Sequence, residues 1–315
     1  MVLVLGRRDV QDLLDLPTAV AVTEALLREQ ASGDLAPIAP RSTHLPRGVM
    51  RLVAGALLGS RRAGIRVSVG GGGDDPVALL YDTESGKLLC IQAYLYSSLR
   101  IAATVGLATR LLAPERVRTV GLIGTGRNAQ SVLEGVCWAR QGVEEIRVYS
   151  RREEHRRLFA GAMREELGCS IVAAASGREA VEGADVVLTA TNPEQPVLYG
   201  DWLRPGQLVL SIGRPNELDA EVYRRADLVA VGLRQHELDY YDRELPKPLL
   251  DLVQRSEVTW VELADILVGR VQPIRPEDSL VVFRETQGGV GDVAFANWVY
   301  SRAVELGRGQ QLSLA

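Results

Sequence analysis

Residues 120–130 read VGLIGTGRNAQ, an apolar run that ends in a glycine-rich turn. The turn, Gly124-Thr125-Gly126-Arg127-Asn128-Ala129, follows a strand-like RTVGLIG and opens a segment of helical spacing, AQSVLEGVCWARQ. A lone match of this kind says little, but strand, turn and helix in this order are the setting that a dinucleotide-binding loop requires. Gly124 permits the tight turn and Gly126 lets the backbone approach a pyrophosphate. Ala129, small in the place of a third glycine, lets the helix close on the strand. The helix N-terminus then offers free N–H groups and partial positive charge to the anion.

Around this turn the chain alternates apolar strands with segments of helix length. TVGLIG, EIRVYS, SIVAA, ADVVLTAT, QLVLSIG and DLVAVG are near-continuous apolar runs, as expected of strands buried on both faces of a parallel sheet. DSLVVFRE reads as a last strand and GDVAFANWVYSRAVEL as a closing helix, apolar most of the way round. Thr191 and Gly213, at the ends of two of the runs, are assigned to the same nucleotide site. Upstream the pattern differs. Residues 9–32 carry helical spacing, divided by Pro17 into two short helices. From Pro37 to about Gln92 come short runs punctuated by glycine: MRLVAGALL, AGIRVSV, PVALLYD and KLLCIQAYL read as strands, with DTESGK a hairpin turn. SSLRIAATVGLATRLLA reads as a helix that Ser97 or Ser98 caps, and Pro114 marks a boundary. The expected fold is α/β: a Rossmann doubly wound parallel sheet plus a second, α+β domain.

Composition narrows the function. The 315 residues suffice for one large or two ordinary domains, and the formal net charge of −4 argues against a nucleic-acid binder. No apolar stretch approaches the ~18 residues of a membrane span. MVLVLGRRDV places its apolar run ahead of its charges, the reverse of a secretory signal. Cys90, Cys137 and Cys169 lack CxxC spacing and read as reduced thiols of a cytoplasmic protein. Three scattered histidines give no zinc pattern, so no metal is expected.

The strand after the turn bears on the cofactor. NAD enzymes commonly end it with an acid for the ribose diol, whereas this chain reads VYSRREEHRR. Ser150, Arg151 and Arg152 supply a hydroxyl and two guanidiniums, which suit a 2′-phosphate, so NADP(H) is favoured over NAD(H).

DTESGK, SSLRIAA, GLIGTGRNA, ADVVLTATN, LADILVGR and VVFRETQGGVGDVAFANWVY, in this order, resemble the ornithine cyclodeaminase/mu-crystallin family over nearly the whole chain. The resemblance implies a substrate-binding and dimerisation domain from residues 1–113 and 291–315, and a Rossmann domain over 114–290. It also implies a homodimer through the N-terminal sheet. The chemistry it implies is hydride transfer between a nicotinamide and the α-carbon of a small amino acid or its imine. Arg100 matches the family's carboxylate-binding arginine in a TALRTAA-like box, and Arg41 in APRSTHL resembles its N-terminal substrate arginine. Arginine's planar fork suits a carboxylate.

Three departures stand out. Arg66 in AGIRVSV replaces the lysine of a GxK pattern, and a guanidinium neither gives nor takes a proton readily. After QLVLSIG the family's cyclodeaminases carry an aspartate base, but this chain reads Gly213-Arg214-Pro215-Asn216-Glu217-Leu218. Ile101 and Ser98 alter the arginine box. With both proton-handling groups gone, the expectation is an imine or ketimine reductase, or an amino-acid dehydrogenase. The alternatives are a non-catalytic NADP(H) or small-molecule binder and an ornithine or lysine cyclodeaminase. Asp292, Glu217 and Tyr94 or Tyr96 remain candidates for proton delivery. The glycines at 70–73 are expected on the substrate side, where a ligand or a second subunit comes close.

Overall fold

Glycine-punctuated runs in the first hundred residues pair as antiparallel strands, and their register decides which side chains meet. The computed structural model describes residues 1–70, 75–239, 245–271, 274 and 276–314. Two compact units divide the chain: Met1–Arg100, Leu238–Arg243 and Gln287–Ala315 form one, Ile101–Glu237 and Glu244–Thr286 the other.

In the first unit the strands are β1 (Val2–Leu5), β2 (Leu35–Leu45), β3 (Gly48–Leu57), β4 (Arg62–Gly70), β5 (Val77–Asp82) and β6 (Leu88–Ala93). With the C-terminal strand Gln310–Leu312 they form a seven-stranded mixed sheet, ordered C-terminal strand–β1–β6–β5–β4–β3–β2. The short helix α1 (Arg7–Val10) and the longer α2 (Leu16–Ala31) follow β1, and Asp15 caps α2 by accepting from the Thr18 amide at 2.9 Å. In the DTESGK hairpin the Asp82 carboxylate accepts from the Ser85 amide and hydroxyl.

β1, β2 and the C-terminal strand are additions to the sequence expectation. β2 contains Pro37 and Pro40, which remove ladder donors. It is tolerated because it lies at the sheet edge, where its pairing with β3 shifts register between Ile38 and Arg41. The apolar start of the chain is β1, parallel to β6.

Opposed residues in an antiparallel ladder share a face. Ile38, Ala54, Ile65, Leu79 and Ile91 thus form one apolar row across five strands, on the face away from Arg66. The opposite face carries Val53, Arg66, Ala78 and Gln92, and on it packs the long helix Gly288–Glu305. That helix approaches to backbone contact, since a Cβ at Gly289 would stand 2.0 Å from the Ala54 carbonyl oxygen.

The second unit is the doubly wound half. Its strands are β7 (Thr119–Ile123), β8 (Glu145–Tyr149), β9 (Ser170–Ala173), β10 (Val186–Thr189), β11 (Leu208–Ser211), β12 (Leu228–Val231), β13 (Val261–Glu262) and β14 (Val281–Arg284). All pair in parallel, in the order β13–β12–β14–β11–β10–β7–β8–β9. Their near-continuous apolar sequences follow from burial on both faces: β10, β11 and β14 are buried at every position. β14, read from the sequence as the last of these strands along the chain, inserts between β12 and β11. Helix α3 (Ser97–Leu112) begins at Ser97 itself, so neither serine precedes it as a cap. Tyr96 precedes it, and its carbonyl accepts from the Arg100 amide at 2.9 Å.

Candidate functional site

β7 leads into the GTGRNA turn and helix α4 (Ala129–Ala139). Gly124 has φ +110°, and a Cβ there would meet the Ala190 carbonyl oxygen at 2.5 Å, so only glycine fits. Gly126 differs: nothing lies within 4 Å of its Cβ position, and its backbone faces open space. A cleft of about 750 Å³ opens at this end of the sheet. Gly124, Thr125, Gly126, Arg127 and Asn128 form one wall, Ser150, Arg151 and Arg152 a second, and Thr191 and Gly213 a third. Ala129 is buried at the start of α4, behind the wall, in keeping with a packing role. The Thr125 hydroxyl donates to Ser150 Oγ at 3.0 Å and ties the turn to the end of β8. Tyr149, His155, Asn192 and Pro193 also line the cleft and were not among the residues read from the sequence.

An open Cβ position at the turn, a helix N-terminus and a cleft of about 750 Å³ beside them fit a dinucleotide. Ser150 stands where an acid would hold a ribose diol, and exposed Arg151 and Arg152 follow it. Among the described residues no group of three or more His, Cys, Asp or Glu is placed to hold a metal ion.

Gly213 lines the cleft for a different reason from Gly126. A Cβ there would stand 2.2 Å from the Thr191 carbonyl oxygen and 2.4 Å from Glu217 Cδ. Glu217 is fully buried, its carboxylate consumed by hydrogen bonds from Thr189, Thr191, Ser211 and Gly213. The sequence left it as a candidate for proton delivery. With all these donors on its carboxylate, and with Glu217 itself not lining the cleft, it is an internal anchor.

The first unit holds a separate cluster. Arg66, on β4, donates through Nε to Asp292 Oδ2 at 2.8 Å and through Nη1 to Ser68 Oγ at 3.3 Å. Its guanidinium lies 5.0 Å from the Tyr94 ring centroid. Arg100, in the first turn of α3, pairs with Asp292 Oδ1 at 3.3 Å, and the Tyr94 hydroxyl donates to the same oxygen. Tyr94 in turn packs on Tyr96, which stacks on Phe295 of the long helix. Gly291 leaves room for this arrangement, because its Cβ position is 3.2 Å from Arg100 Cδ.

Two guanidiniums therefore share one carboxylate, all three largely out of solvent (side-chain exposure 19% for Arg66, 9% for Arg100 and 4% for Asp292). Burial pulls the Arg66 guanidinium down, but the charge and hydrogen bond of Asp292 together with Tyr94 outweigh it, so Arg66 is held above its ordinary value. Burial first, then Asp292, pushes the Tyr94 phenol up, so it stays protonated. The net charge of the trio is positive, which suits a carboxylate-bearing ligand.

Arg41 is not brought to this cluster. It is exposed on β2 opposite Leu52, which pairs with Val67, and so belongs to the sheet face away from Arg66. Of the glycine run, Gly70 ends β4 with its Cβ position 3.8 Å from Arg51 Nη1. The expectation for residues 71–73 lies outside the described residues.

A family model described as the ornithine cyclodeaminase/mu-crystallin family matches residues 5–307. A Delta(1)-pyrroline-2-carboxylate reductase of Bacillus cereus is 29% identical over 241 residues, 75% of this chain and 73% of that protein. The ketimine reductase mu-crystallin of Mus musculus is 31% identical over 228 residues, 70% of this chain and 67% of that one. Among solved structures, the Delta(1)-pyrroline-2-carboxylate reductase of Thermococcus litoralis, in complex with NADH and L-proline, superposes with a TM-score of 0.86 at 24% identity, over 98% of this chain and 100% of that one. An archaeal alanine dehydrogenase dimer with bound NAD gives 0.85 at 23%, over 100% and 99%. At these identities the two structures establish the shared fold.

Proposed function

Because the chain belongs to the ornithine cyclodeaminase/mu-crystallin family, we propose that it is an NADP(H)-dependent oxidoreductase that reduces the imine of a small α-imino acid, or runs the reverse oxidation of the amino acid. The observation that carries this is the positive Arg66–Asp292–Arg100 trio in a chain that also has a dinucleotide cleft. When bound, the nicotinamide supplies the hydride. Residues 124–128 hold the pyrophosphate at the α4 N-terminus, and Ser150, Arg151 and Arg152 take the 2′-phosphate.

Arg66 and Arg100 clamp the substrate carboxylate, with Asp292 ion-paired to both guanidiniums and accepting a hydrogen bond from Tyr94. Neither arginine hands over a proton at any working pH. A preformed imine asks for little more, since its nitrogen arrives protonated and rate depends on alignment with the hydride donor. Tyr94 and Asp292 are the groups beside the arginines that can move a proton. Ornithine cyclodeamination is disfavoured, because Arg66 and Arg214 occupy the positions where the resemblance places a lysine and an aspartate.

The same proposal includes a cytoplasmic homodimer. The apolar row from Ile38 to Ile91 faces away from the long helix, and Ile38, Val69 and Val77 are 57%, 43% and 38% exposed. The alanine dehydrogenase with the same fold is a dimer, and a second copy of this chain supplies a self-complementary cover. No helix of the described residues is long and apolar enough to cross a membrane.

The test is a titration with NADPH and NADH, followed by oxidation assays over a panel of cyclic and acyclic α-imino carboxylates. Turnover with preference for NADPH is expected. Tight cofactor binding with no turnover across the panel would leave a binding protein in its place.

A further inference from the structure

Glu217 sits under the cleft without lining it. Oε1 accepts from the Thr191 amide at 2.5 Å and the Thr191 hydroxyl at 2.6 Å. Oε2 accepts from the Thr189 and Ser211 hydroxyls at 2.9 and 2.8 Å and from the Gly213 amide at 2.8 Å. Each oxygen thus holds one backbone amide of a cleft-lining residue. The Glu217 carbonyl also accepts from the Val197 and Leu198 amides. The anchor extends inward: Ser211 Oγ accepts from Arg284 Nη1 at 3.0 Å, and Arg284 pairs with Glu237 at 3.1 Å, both 1% exposed.

Strand order identifies which part of the ligand this anchor serves. A dinucleotide on a doubly wound sheet places its pyrophosphate at the central turn and one nucleotide over each half. The turn follows β7, and Ser150, at the ribose-recognition position, follows β8 on one side. Thr191 follows β10 and Gly213 follows β11, on the other side. We infer that Glu217 is the positioning residue for the nicotinamide half of the cofactor, acting through Thr191 and Gly213 without touching the ligand. This rests on the nicotinamide-cofactor function proposed above.

Glu217→Gln is the direct test. Whichever way the amide turns, its NH₂ faces either the Thr191 or the Gly213 backbone N–H, so one wall amide loses its acceptor. Titrations compare NADPH and NADH with ADP and its 2′-phosphate, which carry the adenosine half and both phosphates. The expected result is about tenfold weaker binding of the whole cofactor, the order for one buried donor left without a partner. Binding of the fragments, which do not reach the Thr191 and Gly213 side, should stay within about twofold, the order of coupling between distant sites without shared partners. An equal loss for cofactor and fragments, or no loss for either, would overturn the inference.

Should Glu217→Gln fail to fold, Glu217→Asp keeps the charge on a side chain too short to reach both the Thr191 and Gly213 amides, and alters no cleft-lining residue. The same selective loss is expected, and wild-type affinity for the whole cofactor would refute the role. A wild-type chain that binds neither NADH nor NADPH sinks the cofactor function itself, and this inference with it.

Discussion

Asp292→Asn changes one atom's identity and leaves two guanidiniums facing each other. In the wild-type chain the carboxylate meets Arg66 Nε at 2.8 Å and Arg100 Nε at 3.3 Å, and accepts from Tyr94. Each of the two ion pairs is worth about 5–6 kcal/mol of Coulomb energy at an effective dielectric of ~20, much of it cancelled by the cost of desolvating the charges. Removing the shared partner of a buried pair typically costs 3–5 kcal/mol. Arg66 keeps 19% side-chain exposure, so water recovers part of that, and about 3 kcal/mol is expected. At about 2.1 cal/mol/K per residue the 315 residues shift by roughly 1.5 °C per kcal/mol, so the thermal midpoint should fall by about 4–5 °C. A small carboxylate supplies the missing charge, so acetate should raise the midpoint of Asp292→Asn more than that of the wild type. Scanning calorimetry with and without acetate reads both effects. A variant that melts within about 1 °C of the wild type, an unfolding cost below ~0.7 kcal/mol, would refute the reasoning, as would one that acetate does not rescue. The trio would then not be coupled through Asp292, and its surplus charge would be no argument for a carboxylate substrate.

The two glycines of the nucleotide turn should separate stability from binding. Gly126→Ala has open space for its methyl and should change stability by less than about 0.5 kcal/mol while weakening NADPH at least ~tenfold, whereas Gly124→Ala, with its positive φ and the Ala190 carbonyl in the way, should destabilise the chain itself. Equal melting of the two variants contradicts this. Alkaline titration probes the buried phenols. Burial is the first cause that raises Tyr94, Tyr96 and Tyr223 above the ordinary value near ~10. A phenol raised in the folded state contributes stability that is complete below pH ~10 and is lost as pH climbs through the folded value. Of the nine tyrosines these three should ionise only as the chain unfolds, and phenolate absorbance from all nine before unfolding would count against it.

The nucleotide half was legible because its signals are local. Strands buried on both faces show as unbroken apolar runs, and the turn needs only six consecutive residues whose backbone geometry glycine itself permits. The edge strand β2 was not, since two prolines hide it from any strand pattern that ignores sheet position. Nor were β1 and the C-terminal strand Gln310–Leu312, which pair with each other across the whole length of the chain.

By itself the sequence determined an α/β chain with a dinucleotide turn, an arginine in place of a lysine and a set of charged residues without partners. Tertiary structure alone decided what those residues do. Arg66 and Asp292 are 226 positions apart, and only sheet register and the close seat of the Gly288–Glu305 helix bring them to 2.8 Å. Register also sends Arg41 to the other face, and folding turns Glu217 inward, where four neighbours donate to it. A residue's type limits the bonds it can make, but which it makes depends on neighbours distant in the chain, and those are set by how strands align and helices pack.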